Sequence, residues 1–250
     1  MNFAYSGLTD VGLKRAVNQD SILMSHSPDE NVYIFAVADG MGGHADGELA
    51  SRAVISGLSE WLCGFNEEYY GNDFNNILND IMSRLEDVNQ FVYENYNVNQ
   101  VCGSTCMIMV IYRDAYGLIS LGDSHIYYDD GMNFSALTMD DVWENLEKVK
   151  NKYNEMEILQ NPNYGKLTKA FGTDEGVDFS VNIGQLKQGD AFLLCSDGLY
   201  KYVNEYEISG CMRSLDGNDD LSKIRNLKMR VYENGAKDNI SIISVKCLGL

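Results

Sequence analysis

The chain has 250 residues, 45% of them apolar, enough to bury a full core as one domain spanning 1–250; it has only 2 prolines and no linker, repeat or low-complexity tract to divide it. Its 37 acidic residues against 19 Lys plus Arg give a net charge of −18, which excludes nucleic acid as a partner, because such binding depends on neutralising phosphates with a basic face. A negative field of this size keeps the surface solvated and favours basic peptide segments, and no run approaches the roughly 18 apolar residues of a membrane helix.

The first five residues lack the charged and apolar regions of a signal peptide, so the chain reads as soluble and cytoplasmic. Residues 3–9 form the first expected strand. Next, 32–38 is an apolar run of strand length that ends in Asp39-Gly40-Met41-Gly42-Gly43-His44. A helix is expected after it, with Asp46 as N-cap and Leu49, Ala53, Val54, Leu58, Trp61 and Leu62 at helical spacing. A second helix carries Phe74, Ile77, Leu78, Ile81, Leu85, Val88 and Val92 as its apolar stripe.

Strands at 105–112, 116–121, 125–128 and 134–137 are divided by Arg113-Asp114, Gly122-Asp123 and Asp129-Asp130-Gly131 at hairpin spacing, which favours antiparallel pairing. The segment 142–160 reads as charged and helical. A strand at 191–195 runs into Ser196-Asp197-Gly198, helices follow at 205–213 and 221–232, and a last strand at 240–246 follows Lys237-Asp238-Asn239. Two antiparallel sheets with helices packed outside would bury every stripe. The six cysteines form no CxxC pair and lie mostly in apolar contexts, so they read as reduced core residues.

Four turns separated by long stretches of chain each carry an aspartate: Asp20, Asp39, Asp197 and Asp238. One such aspartate is ordinarily a turn or cap residue. Several of them aimed at one rim, with a backbone carbonyl, make an all-oxygen site suited to magnesium or manganese and poorly suited to zinc or copper. Two such ions can lower the pKa of a shared water and clamp a phosphoryl group, so phosphoester hydrolysis is the economical chemistry. Arg15 is placed to grip phosphate oxygens. His44 is the histidine placed to protonate a leaving alkoxide.

Taken in order, these pieces resemble the bacterial form of the metal-dependent protein phosphatase family, type 2C. Residues 9–20 resemble its opening motif and 36–44 its second, followed by 47–51, 103–105, 122–124, 167–172, 193–199 and 238–241, collinear from Gly7 to Val245. The resemblance implies an α+β fold, a four-layer α/β/β/α sandwich with two central antiparallel sheets flanked by helices. It implies a serine/threonine phosphoprotein phosphatase that uses two Mn2+ or Mg2+ ions, with a third, weaker site. Asp39 would bridge both ions, Gly40 would offer its carbonyl, and Asp197 and Asp238 would complete the coordination of the second ion. Asp20 would hold a water of the metals, Asp123 with Asp197 would form the third site, Arg15 would bind the substrate phosphate, and His44 would be the general acid. No phosphoenzyme is expected, since the nucleophile would be the water shared by the ions. The implied partners are phosphoserine and phosphothreonine proteins, including a Ser/Thr kinase or its substrates, met by a monomer.

The chain departs from the family pattern in three places. His125 stands where an arginine is common, which predicts altered local pairing with intact catalysis. Phe171 replaces a leucine, a volume change that a core absorbs. A divergent flap at about 139–165 borders the site and bears on substrate choice. Two other readings stay open: a catalytically idle regulatory relative, and a phosphatase for a small phosphoester or one dedicated partner such as an anti-sigma antagonist.

Overall fold

In a computed structural model, which describes residues 2–42, 46–96 and 101–249 with Asp46 described in its backbone only, every pairing between named strands is antiparallel. The strands are β1 (Asn2–Asp10), β2 (Asp20–His26), β3 (Val32–Gly42), β4 (Cys102–Ser104), β5 (Cys106–Tyr112), β6 (Ala115–Leu121), β7 (His125–Asp129), β8 (Phe134–Ala136), β9 (Ser180–Gln185), β10 (Ala191–Cys195) and β11 (Ile240–Gly249). One sheet has the order β1-β11-β10-β7-β8; the other runs β2-β3-β5-β6-β9, with β4 extending β3 beyond β5. The helices are α1 (Asp46–Cys63), α2 (Phe74–Tyr96), α3 (Glu147–Lys150), α4 (Glu155–Leu159), α5 (Asp197–Tyr200), α6 (Glu205–Ser214) and α7 (Asp220–Glu233).

Alternation along β3 assigns the layers. Ile34, Ala36 and Ala38 pack with Val54, Leu58, Ile77, Ile81 and Leu85 of α1 and α2. Phe35 and Val37 point the other way, into an apolar layer shared with Phe192, Leu194, Ile243 and Val245 of the opposite sheet. On that sheet's far side, Leu193, Cys195, Ile240 and Ile242 meet Ile208, Met212, Ile224, Leu227 and Val231 of α6 and α7. Helix, sheet, sheet and helix are thus stacked as the expected four-layer sandwich. Phe171 is fully buried in the α1/α2 core, so that core does accept the larger ring.

Several local expectations need correction. Strands β2, β4 and β9 carry no strong signal in the chain: β2 and β9 are edge strands, with Val181 44% and Ile183 48% exposed, and β4 is three residues long. The 142–160 segment is a 3-10 turn (Trp143–Asn145) followed by the short α3 and α4. It breaks because Asn154 leaves the helical conformation and caps α4 in a reciprocal box with Glu157. On α1, Ala50 is buried and Leu49 is exposed. Cys63 is exposed and Cys211 half-buried, whereas Cys102, Cys106, Cys195 and Cys247 are buried.

Candidate active site

The acids gather at one end of the layer between the sheets, each carried at or near the end of a strand. Asp39 lies in β3 and faces Asp20 of β2 as its register partner. From the other sheet, β10 ends at Cys195 and leads through Ser196 into Asp197 at the start of α5, while Asp238 immediately precedes Asn239 and β11. Asp123 occupies the turn between β6 and β7. Together Arg15, Asp39, Gly40, Asp123, Asp197 and Asp238 line a cleft of about 200 Å³, with Thr105 and Leu167 on its wall. Asp20 stands behind it, 6% exposed. His44 lies outside the described residues.

The supports are mostly hydroxyls. The Asp39 amide donates to Thr105 Oγ1 (3.0 Å), the Thr105 amide donates back to the Asp39 carbonyl (2.9 Å), and Ser104 Oγ donates to the same carbonyl (3.1 Å). Thr105 Oγ1 also lies 2.8 Å from Ser124 Oγ, tying the β6–β7 turn to β3. Ser196 Oγ donates to Asp20 Oδ2 (2.8 Å) and accepts the Ser241 amide (3.0 Å). Two glycines are required by close approach. A Cβ on Gly40 would lie 2.3 Å from the Gly47 carbonyl oxygen, and one on Gly198 would lie 1.8 Å from the Asn239 carbonyl oxygen.

Packing this many carboxylates together disfavours their charge. Burial first, then the charges of Asp20, Asp197, Asp123 and Asp238, holds Asp39 well above the usual carboxylate range. Burial pushes Asp20 up to about 6, against the hydrogen bond from Ser196. Asp123 is raised by burial and by Asp197, with Lys201 opposing.

The donor set fits a hard divalent cation: carboxylates with a backbone carbonyl held close by a residue that cannot carry a side chain. Asp20 Oδ1 is the buried side-chain polar atom left without a hydrogen-bond partner among the described residues. Such an atom is costly unless an ion or water completes it. Among the described residues, however, no group of three His, Cys, Asp or Glu side chains forms a ready metal shell. Two cations draw the acids aside. Arg15 Nη2 holds Asp238 Oδ2 at 2.7 Å, and Lys201 Nζ holds Asp197 Oδ2 at 2.5 Å.

Lys201 and Asn239 are site residues to which the sequence reading gave no role. The signal for Lys201 is its i, i+4 spacing from Asp197. Asn239 is 4% exposed; its Oδ1 accepts the Gln19 amide (2.9 Å), and its Nδ2 donates to the carbonyls of Val11 (3.0 Å) and Val17 (3.1 Å), pinning the loop that carries Arg15. His125 is held by three side chains. Its Nε2 is 2.8 Å from Asp140 Oδ1, its Nδ1 is 2.8 Å from Tyr127 Oη, and its ring stacks on Tyr200 at 3.9 Å. The flap is tied to the β6–β7 turn by Asp141, whose Oδ2 accepts the Gly122 amide (3.0 Å) and whose own amide donates to the Gly122 carbonyl (2.9 Å). It turns Met139, Met156, Leu159 and Tyr164 outward.

Comparison with known proteins places this geometry. A sequence profile described as Protein phosphatase 2C matches residues 14–224. The serine/threonine protein phosphatase PstP of Mycobacterium tuberculosis is 25% identical over 242 residues, an alignment covering 96% of this chain and 44% of that protein, so the chain spans less than half of that relative's length. A putative protein phosphatase 2C-type of Streptococcus pyogenes is 27% identical over 245 residues, covering 95% of this chain and 94% of that one. Among solved structures, the serine/threonine phosphatase Stp1 from Staphylococcus aureus superposes with a TM-score of 0.85 at 25% identity, over 100% of this chain and 96% of that one.

Proposed function

The chain belongs to the protein phosphatase 2C family, and on that premise we propose that it hydrolyses phosphoserine and phosphothreonine in proteins, using magnesium or manganese held in the carboxylate cleft. The observation that carries this reading is the convergence of Asp39, Asp123, Asp197 and Asp238 from both sheets on one cleft that also holds Arg15.

Asp39 and the Gly40 carbonyl would hold the pair of ions, with Asp197 and Asp238 completing the second and Asp20 supporting from behind. Bound there, the ions would supply an activated water and offset the charge of the phosphate. Arg15 presents the phosphate grip: one Nη engages Asp238, and a half-exposed guanidinium keeps further donors for phosphate oxygens. Asp238 would therefore both orient the arginine and bind an ion. His44 is assigned as general acid to the leaving serine or threonine oxygen.

Cysteine chemistry fits poorly, because burial pushes the Cys106 thiol up to about 12, that of Cys211 to about 11 and that of Cys195 higher still. The outward apolar side chains of the flap support a protein substrate over a small phosphoester. Opposition to a Ser/Thr kinase, action as a monomer and a cytoplasmic site of action belong to the same proposal; among the described residues no helix is long and apolar enough to cross a membrane.

Hydrolysis of an aryl phosphate with Mn2+, with Mg2+ and with chelator tests the reading, comparing the unaltered chain with Asp39→Asn and Asp238→Asn. Metal-dependent turnover that falls at least about 100-fold in both variants supports it. A folded chain with no turnover in either metal would overturn it. Phosphopeptides compared with small phosphoesters then decide the substrate class.

A further inference from the structure

Lys201 is a cation set among the carboxylates, and the roles above make no use of it. Its Nζ lies 2.5 Å from Asp197 Oδ2 and 3.7 Å from Asp123 Oδ2, so one ammonium spans two acids on the same wall of the cleft. Both ends of this bridge are anchored. The Lys201 amide donates to the Asp197 carbonyl (3.2 Å), which puts the lysine one helical turn beyond Asp197 with its stem running back along the same face. Tyr200, just before it, donates its hydroxyl to the Asp123 carbonyl (2.8 Å) and stacks on His125 with ring planes 8° apart.

Two facing acids, one of them only 7% exposed, require a counter-charge. Here the chain carries that charge itself. A tethered group acts at an effective concentration in the millimolar range for a short flexible link, so it displaces a weakly held free ion without needing high intrinsic affinity.

We propose that Lys201 is a built-in cation for the Asp123–Asp197 arm of the cleft, so that divalent ions bind only on the Asp39–Asp238 side and none binds between Asp123 and Asp197. This inference rests on the metal-dependent reading of the cleft. Charge balance agrees with it: two divalent ions with Arg15 and Lys201 slightly exceed the charge of Asp20, Asp39, Asp123, Asp197 and Asp238, leaving a small positive surplus for a phosphate.

Manganese binding tests it independently of turnover, with bound Mn2+ counted from loss of the free-ion electron paramagnetic resonance signal and by titration calorimetry. The side chain is 51% exposed, so Lys201→Met removes the charge without opening the core. That variant is expected to bind one more Mn2+ per chain than the unaltered protein, Lys201→Arg is expected to keep the lower number, and Asp123→Asn in the unaltered background is expected to leave the number of bound Mn2+ unchanged. Equal numbers for the unaltered chain and Lys201→Met overturn the inference, as does loss of an ion on Asp123→Asn alone. A raised KM for phosphopeptide with an unchanged Mn2+ number would place Lys201 on the substrate and also overturn it. No manganese bound by any form would overturn the metal-dependent reading and the inference together.

Discussion

Ser196 Oγ donates to Asp20 Oδ2 across 2.8 Å, joining a residue just past the end of β10 in one sheet to the first residue of β2 in the other. The same oxygen accepts the Ser241 amide, so one hydroxyl serves three strand ends. Ser196→Ala would leave the buried Asp20 carboxyl and the Ser241 amide short of a partner. The expected cost is about 1–3 kcal/mol of stability by urea denaturation, with turnover lower by roughly 10–100-fold as for other residues that orient metal ligands. Wild-type values in both measurements would show that the hydroxyl positions nothing.

The acids make stability depend on pH and, if divalent ions bind them as proposed, on those ions as well. Asp20 is raised from 3.8 to about 6, and Asp39 and Asp123 are raised as well, with burial the first cause in each. An acid whose folded pKa is raised contributes stability that is fully present below its unfolded pKa and lost as pH climbs through the folded value. In chelator, this contribution therefore declines from about pH 4 through about pH 6. Ions bound to the ionised acids would offset the loss. At about 100 times Kd they stabilise by about 2.7 kcal/mol, roughly 5–10 °C for a chain of this size. Scanning fluorimetry should show a larger Mn2+-dependent rise in Tm at neutral pH than at about pH 5; equal rises would contradict the argument.

Gly198 follows Asp197, and its Cα faces the backbone that precedes β11. Because a Cβ there would meet the Asn239 carbonyl oxygen at 1.8 Å, Gly198→Ala must push the two loops carrying Asp197 and Asp238 apart. The expected loss is about 3 kcal/mol, at the upper end of overpacking effects. Gly176→Ala, where nothing lies within 4 Å, is the control and should stay within about 0.5 kcal/mol. Chemical denaturation of the two variants side by side distinguishes close approach from a general intolerance of alanine.

Asn239→Ala removes the partner of the Gln19 amide and of the Val11 and Val17 carbonyls. The loop bearing Arg15 would lose three of its ties to the β11 side of the cleft. Steady-state kinetics on a phosphopeptide should show a raised KM, and denaturation a loss of about 1–3 kcal/mol. A fall in kcat with unchanged KM would indicate that the loop holds the ions and not the phosphate.

Long buried segments were legible in the chain because they must be apolar on both faces or striped on one. The run through Val32, Ile34, Phe35 and Val37 and the α2 stripe are of this kind. What was hidden owes its form to partners distant in sequence. Strand β9 is mostly exposed and exists because β6 pairs with it. Asn154 looks like any loop asparagine until its side chain caps α4. At the site, aspartates beside turns could be found by spacing, whereas Lys201 reads as an ordinary surface lysine unless Asp123 is known to lie opposite it. Asn239 was visible only as part of a motif; its work is to hold a loop that begins more than two hundred residues earlier.

The apolar layer of Phe35, Val37, Phe192 and Ile243 has a kinetic meaning as well as a structural one. Since one sheet contributes Asp20 and Asp39 and the other carries Asp197 and Asp238 at its strand ends, the gap that a bound ion would bridge is set by how the sheets splay. Side-chain volume at the far end of the layer is then a remote gauge for that gap. Substitutions along this hidden seam would then retune the cleft while leaving every acid in place.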